Sequence, residues 1–144
     1  MSERSTIVDN YGEAYSIELF EGDEFFAMRV YRHDVQVGYA RCLVENGHVE
    51  LADIKINGRL ERNKFYIMLL APFRRFMAKN YQSRGIGSKL LRELVAYTRE
   101  MGLTSIHGSL VGKIDLLAKW YSAHGFEVDR STGKILLILD AADV

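Results

Sequence analysis

The 144-residue chain has one cysteine, one proline, one tryptophan and no net charge. A lone cysteine, Cys42, cannot close an internal disulfide, so stability has to come from a packed core and a reducing compartment is expected. No apolar run approaches the roughly 18 residues that a membrane span needs. The opening residues Met1 to Ser5 are polar and lack the apolar core of a secretion signal, so the chain reads as cytoplasmic. The four histidines and the cysteine show no metal-ligand spacing, and no metal site is predicted. There are no repeats, no low-complexity tract and no linker. What is present is ordinary for a folded protein, 48% hydrophobic and 26% charged residues. That supports one domain over 1–144.

The absence of net charge hides a segregation. Residues 1–54 carry 4 basic and 11 acidic side chains, whereas 59–84 carry 7 basic ones against Glu61 alone. Such a chain can present one face to anions and another to cations, or simply two solvated surfaces.

The first half reads as an antiparallel meander. Tyr15–Phe20 and Glu24–Arg32 are strand-like and flank the turn signal Glu21-Gly22-Asp23. Gln36–Val44 follows, then Asn46-Gly47, a strong hairpin signal, then His48–Ile56. In that last strand Val49 and Leu51 share one parity, and Ala52, Ile54 and Ile56 share the other. Side chains alternate along a strand, so one face cannot take both sets. Either a β-bulge near Leu51–Asp53 reconciles them or the strand is buried on both faces.

Residues 57–81 carry an apolar run, Phe65–Leu70, then Pro72, then Phe73, Phe76 and Met77 among basic residues. The spacing favours helix broken or kinked at Pro72. Its apolar content predicts burial of Phe65–Leu70 in the core or across a homodimer interface.

The second half alternates helix and strand. Ser88–Met101 has helical apolar spacing and ends before Gly102. Thr104–Val111 reads as a strand, and Asp115 as the N-cap of a helix that stops at Gly125. Phe126–Val128 and Lys134–Leu139 read as a terminal hairpin.

The most informative segment is Gln82-Ser83-Arg84-Gly85-Ile86-Gly87-Ser88. Its glycines permit tight turning and close approach of a ligand, and a long helix follows at once. The first N–H groups of that helix lack internal partners and favour an anion such as a pyrophosphate. A P-loop does not fit, because Gly87 is followed by Ser88-Lys89; a dinucleotide fingerprint does not fit, because Leu90 stands where its third glycine belongs.

With Gln82, Gly85 and Gly87 at a helix start, the chain resembles the GNAT (GCN5-related N-acetyltransferase) superfamily. Trp120-Tyr121-Ser122-Ala123-His124-Gly125-Phe126 matches its downstream landmark, an aromatic pair followed by Gly-Phe. Glu50–Ile56 looks like its bulged fourth strand. The resemblance covers about 14–139. It implies an α/β, GNAT-like acyl-CoA N-acyltransferase fold, a mixed and mainly antiparallel sheet flanked by helices. There are departures. Only a turn at Gly22 stands where the family usually has helices, about 25 residues separate the fourth strand from the phosphate loop where the family has a few, which implies an insertion at about 57–81, and Leu116 replaces a frequent Asn.

The resemblance further implies transfer of an acyl group, acetyl above all, from acetyl-CoA as co-substrate to a primary amine, of a small molecule or of a protein. A CoA-binding regulatory module without turnover is the alternative on the same fold. The implied cofactor-binding residues are Ile54, Lys55, Gln82, Ser83, Arg84, Gly85, Ile86, Gly87 and Ser88. Tyr121 matches the general acid. Glu50 and Asp53 are candidate bases, alongside water. His107 reads as structural, and His124 as an exposed helix-end residue. Cys42 reads as a small packing residue. The basic stretch 59–84 either lines the groove for CoA phosphates, binds an anionic partner or is a solvated face. Its interleaved aromatics have apolar neighbours, so no specific nucleic-acid partner is expected.

Overall fold

The computed structural model describes residues 3–56, 85–111 and 114–139. Ten elements follow in order: β1 (Glu3–Val8), β2 (Ala14–Glu21), β3 (Phe25–Arg32), β4 (Val35–Glu45), β5 (His48–Ile56), α1 (Ile86–Glu100), β6 (Ser105–Ser109), α2 (Ile114–Ala123), β7 (Glu127–Asp129) and β8 (Lys134–Ile138). The strands form one sheet in the order β1-β2-β3-β4-β5-β6-β8-β7. All neighbours are antiparallel except β5 and β6, which run parallel. This is the mixed, mainly antiparallel α/β architecture expected from the sequence. The segment 57–81, with its expected burial of 65–70, lies outside the described residues, as do Gln82, Ser83 and Arg84.

The meander starts one strand earlier than the sequence reading. β1 pairs with β2 along its whole length, Glu3 opposite Leu19 and Val8 opposite Ala14. Its turn is pinned by Asp9, which is buried. The Asp9 carboxylate accepts the N–H groups of Tyr11 (2.8 Å) and Glu13 (2.9 Å) and the hydroxyl of Tyr15 (2.6 Å). The β4–β5 turn has Asn46 at φ 52° and Gly47 at φ 81°, as a two-residue hairpin of type I′ requires.

The bulge in β5 is present. Arg41 faces Asp53 and Cys42 faces Leu51, so Ala52 is the extra residue. It resets the alternation: Val49 and Leu51 point to the core before it, and Ile54 and Ile56 pack against the same core after it.

One face of the sheet carries both helices. α1 packs across β1, β3, β4 and β5 through Ile86, Leu90, Leu91 and Leu94, all at most 1% exposed. α2 contributes Ala118 and Tyr121 to the same side. Both helices end in the same way. After α1, Gly102 takes φ 75°, with Gly102 N–H on Arg99 O and Leu103 N–H on Thr98 O. After α2, Gly125 takes φ 89°, with Gly125 N–H on Ser122 O and Phe126 N–H on Tyr121 O. These are Schellman ends, in which the last carbonyls are satisfied by the chain turning back. Asp115 is not the N-cap of α2 but lies inside its first turn, where its charge still suits the helix dipole. It pairs with Arg130 at 2.8 Å.

Candidate active site

The parallel pairing of β5 and β6 stops at Leu51 opposite Gly108. Beyond it β5 continues to Ile56, and no strand among the described residues pairs with that edge. A fork therefore opens at the bulge, its β5 arm offering backbone groups from Ala52 onward, next to Ile54 and Lys55. The Ile54 side chain is half-buried and packs on the helix-bearing core, whereas Lys55 is exposed.

The N-terminus of α1 lies on the helix-bearing side of this fork. Gly85 is its N-cap, with φ 82° and no side-chain cap, and no acidic residue occupies the first turn. The first internal bond runs from Lys89 N–H to Gly85 O at 3.1 Å. The N–H groups of Ile86, Gly87 and Ser88 thus have no partner among the described residues, a ready anion site. A side chain at Gly87 would point at Trp120 (3.5 Å) and Ile56 (3.6 Å), so the glycine keeps a cradle open between α2 and the β5 arm. These residues fit the pyrophosphate end of a CoA. Ile86 contributes only its backbone, since its side chain is 1% exposed in the core. The Ser88 side chain is committed elsewhere: Trp120 Nε1–H donates to Ser88 Oγ (3.1 Å), and His124 Nε2 lies 3.0 Å from the same oxygen.

That bond corrects the expectation for His124. It is a packed residue joining the end of α2 to the start of α1. Burial, and then the positive charge of Arg92, lower its pKa and favour the neutral ring. A neutral ring lets Ser88 accept from Trp120 and donate to His124 at once.

Tyr121 is 5% exposed. Its ring packs edge-on against Trp120 (4.8 Å) and Phe126 (5.3 Å). The aromatic motif is thereby explained physically: Tyr121 and Phe126 are the residues that a Schellman end brings into contact. Burial first, then the negative charge of Asp53, then Cys42, push its hydroxyl up to about 12. The group stays protonated at neutral pH but is a weaker acid than its ordinary value near 10 implies.

The two carboxylates part company. Asp53 accepts from the hydroxyl of Tyr39 (2.7 Å) and from Arg41 (3.1 Å). The Tyr39 hydrogen bond first, and then Arg41, hold it below the usual carboxylate range. A carboxylate so satisfied is a poor base. Glu50 is exposed on the face away from the helices, opposite Leu43 on β4 and His107 on β6. His107, read from the sequence as structural, is exposed beside it. Cys42 is 1% exposed, and burial pushes its thiol up to about 12. Among the described residues no group of three or more His, Cys, Asp or Glu is placed to hold a metal ion. No helix there is long and apolar enough to cross a membrane.

Sequence reasoning missed Asn10, whose carboxamide lies against Gly85, and the Ser88–His124 link. Asn10 sits in no motif, and Ser88 and His124 sit in two different ones; only tertiary packing brings them together.

The family model for an acetyltransferase (GNAT) domain matches residues 21–128. The chain belongs to the GNAT acetyltransferase family. No protein with a curated description matches it by sequence. Among solved structures, this GNAT chain is similar to the PaiA N-acetyltransferase of Thermoplasma acidophilum in complex with coenzyme A. The TM-score is 0.59 at 13% identity, covering 81% of this chain and 62% of that one. The ribosomal-protein-S18-alanine N-acetyltransferase of Escherichia coli also has a TM-score of 0.59, at 12% identity, covering 86% and 76%. An IAA acetyltransferase from Bacillus cereus gives 0.57 at 14% identity, covering 81% and 79%. At such identities the likeness is one of fold. The GNAT chain spans less than two thirds of the length of PaiA.

Proposed function

We propose that this GNAT chain transfers an acetyl group from acetyl-CoA to a primary amine by direct attack. The observation that carries the reading is the Gly85–Gly87 cradle, where three N–H groups without a partner among the described residues open a 15-residue helix beside the β5–β6 fork. When bound, acetyl-CoA supplies the thioester that is attacked. The amine nitrogen forms a bond to the carbonyl carbon, the carbon–sulfur bond breaks, and one proton passes in net from nitrogen to sulfur. Backbone N–H groups of the β5 arm at Asp53–Lys55 stabilise the developing oxyanion. Ile86, Gly87 and Ser88 hold the phosphates, with Gln82, Ser83 and Arg84 preceding them in the chain. Glu50, or water ordered by it, takes the proton from the amine.

Tyr121 donates a hydrogen bond to the departing sulfur. An ordinary thiol has a pKa near 8.5. Full transfer from a phenol at about 12 therefore runs uphill by roughly three to four powers of ten. The role this supports is stabilisation of the thiolate by a hydrogen bond, with the proton arriving finally from solvent.

A CoA-binding module without turnover is the second reading, favoured by the locking of Asp53 with Tyr39 and Arg41. One experiment separates the two: titration calorimetry with acetyl-CoA, followed by an amine-dependent assay of CoA release. Binding with release supports the enzyme, binding without release across a broad amine panel supports the module, and no binding at millimolar acetyl-CoA sinks both.

A further inference from the structure

Register partners carry Phe25, Leu43, Glu50 and His107 across β3, β4, β5 and β6 in one row. Their sequence neighbours Phe26, Cys42, Val49, Leu51 and Ile106 are buried under the helices. The row therefore points to the opposite face. Phe25 and Leu43 are each 49% exposed, unusual for large apolar side chains standing side by side on a sheet. The ring of Phe25 folds back across the Cα of Gly22, which leaves the row open above Leu43. A groove of about 830 Å³ runs over it, lined also by Glu24, Glu45 and His48. That is the size of a small-molecule site.

The groove begins where the reaction would take place. Glu50 and His107 stand one residue before Leu51 and Gly108, the last pair before the fork. An acyl group reaching the fork from the phosphate cradle on the helix-bearing side emerges beside this pair. Charge then selects the occupant. Glu24, Glu45 and Glu50 line the groove, no lysine or arginine is among the described lining residues, and none of the three carboxylates has an ion pair among the described residues. A neutral apolar ligand would leave those charges unanswered, and a small polar cation would leave Phe25 and Leu43 uncovered.

We infer that the groove is the acceptor site, and that it takes a small primary amine with an apolar, preferably aromatic, body. The inference rests on the N-acyltransferase reading. The ammonium end lies at the Glu50–His107 head, where either side chain can take the proton that attack requires, and the body lies over Leu43 and Phe25.

The test uses the full chain, with phenethylamine, ethanolamine and spermidine as probes. Phenethylamine should exceed ethanolamine in kcat/KM by at least about tenfold, the size of effect a few apolar contacts give. Leu43→Arg, at an exposed strand position, should erase that preference while the acetyl-CoA Kd stays within about twofold. Equal rates, preference for spermidine, turnover of peptides only, or a Leu43→Arg variant that keeps the preference would overturn the assignment. Ligand-observed NMR with phenethylamine alone reads the groove independently of turnover. Saturation transfer that Leu43→Arg removes supports the groove even if acetyl-CoA fails to bind; no transfer to the wild type rejects it even if acetyl-CoA binds.

Discussion

The carboxamide of Asn10 lies on the backbone of Gly85, so closely that a Cβ at Gly85 would come within 2.6 Å of Asn10 Oδ1. The β1–β2 turn therefore packs on the start of α1, and the buried carboxylate of Asp9 braces that turn. Gly85 is constrained twice, by this contact and by its φ of 82°. Gly85→Ala should destabilise the protein by roughly 1–2 kcal/mol from backbone conformation alone, with the displacement of Asn10 added. Both the melting temperature and its rise with acetyl-CoA should fall.

Gly87 separates fold from ligand. It lies inside α1, and a Cβ there meets Trp120 and Ile56 at ordinary contact distances, 3.5 and 3.6 Å. Gly87→Ala should raise the stability of the unliganded protein by up to roughly 1 kcal/mol, because glycine weakens a helix. The same methyl occupies the cradle, so the stabilisation by acetyl-CoA should shrink. Gly87→Val should abolish it. Thermal melts with and without acetyl-CoA measure both effects; a Gly87→Val variant with an undiminished ligand shift would remove the cradle from the binding site.

Cys42 should be inert. Its thiol is buried, and its pKa near 12 leaves almost no thiolate at neutral pH. Disulfide-exchange reagents at pH 7.5 should label it only as fast as the protein opens, and fully once denaturant is added. Rapid stoichiometric labelling of the native chain would contradict the packing described for β4.

His124 gives stability a pH dependence of definite sign. Its folded pKa lies below the ordinary 6.5, because burial and Arg92 disfavour the cation. Below 6.5 the unfolded chain therefore binds protons that the folded chain resists, and stability falls as the pH drops from there to the folded value. Above about 7.5 the residue makes no such contribution. His124→Gln should melt with a shallower decline between pH 7 and pH 5 than the wild type. A parallel decline in the two proteins would show that His124 does not carry the effect.

Much of this arrangement was legible in the chain because local chemistry and tertiary structure agree. The parity conflict between Val49 and Ile54 narrowed β5 to a bulge or a doubly buried strand, Asn46-Gly47 announced its hairpin, and Gly85-x-Gly87 before a long apolar stripe announced the helix start. β1 was not legible because it is an edge strand that buries only Ile7 among the side chains described, too little for an alternation to register. His124 does stand at the end of α2, but the expectation that it is exposed failed for another reason. Ser88 lies 36 residues away in sequence, and only the packing of α2 on α1 makes them neighbours. Glu50 and Asp53 could not be ranked from the sequence. Their difference comes from Tyr39 and Arg41, partners across the strand pair, which hold one carboxylate and leave the other exposed.

Tyr121 is the residue on which the proposed chemistry can be tested most directly. Its ring is fixed by Trp120, by Phe126 and by the Schellman end of α2. None of those contacts uses the hydroxyl, which has no hydrogen bond among the described residues. Tyr121→Phe removes that oxygen and keeps the ring, so the melting temperature should change little. The affinity for acetyl-CoA should also hold, because the hydrogen bond is needed when charge develops on sulfur. The turnover number should fall roughly 100-fold or more, the loss typical for one preorganised donor to a developing anion. The wild-type rate should show no loss from ionisation of Tyr121 up to at least pH 10, since its hydroxyl ionises near 12. With an accepted amine in hand and chemistry limiting the rate, an unchanged turnover number in Tyr121→Phe would exclude the hydroxyl from the reaction. A large fall in stability without a change in turnover would instead make Tyr121 a packing residue.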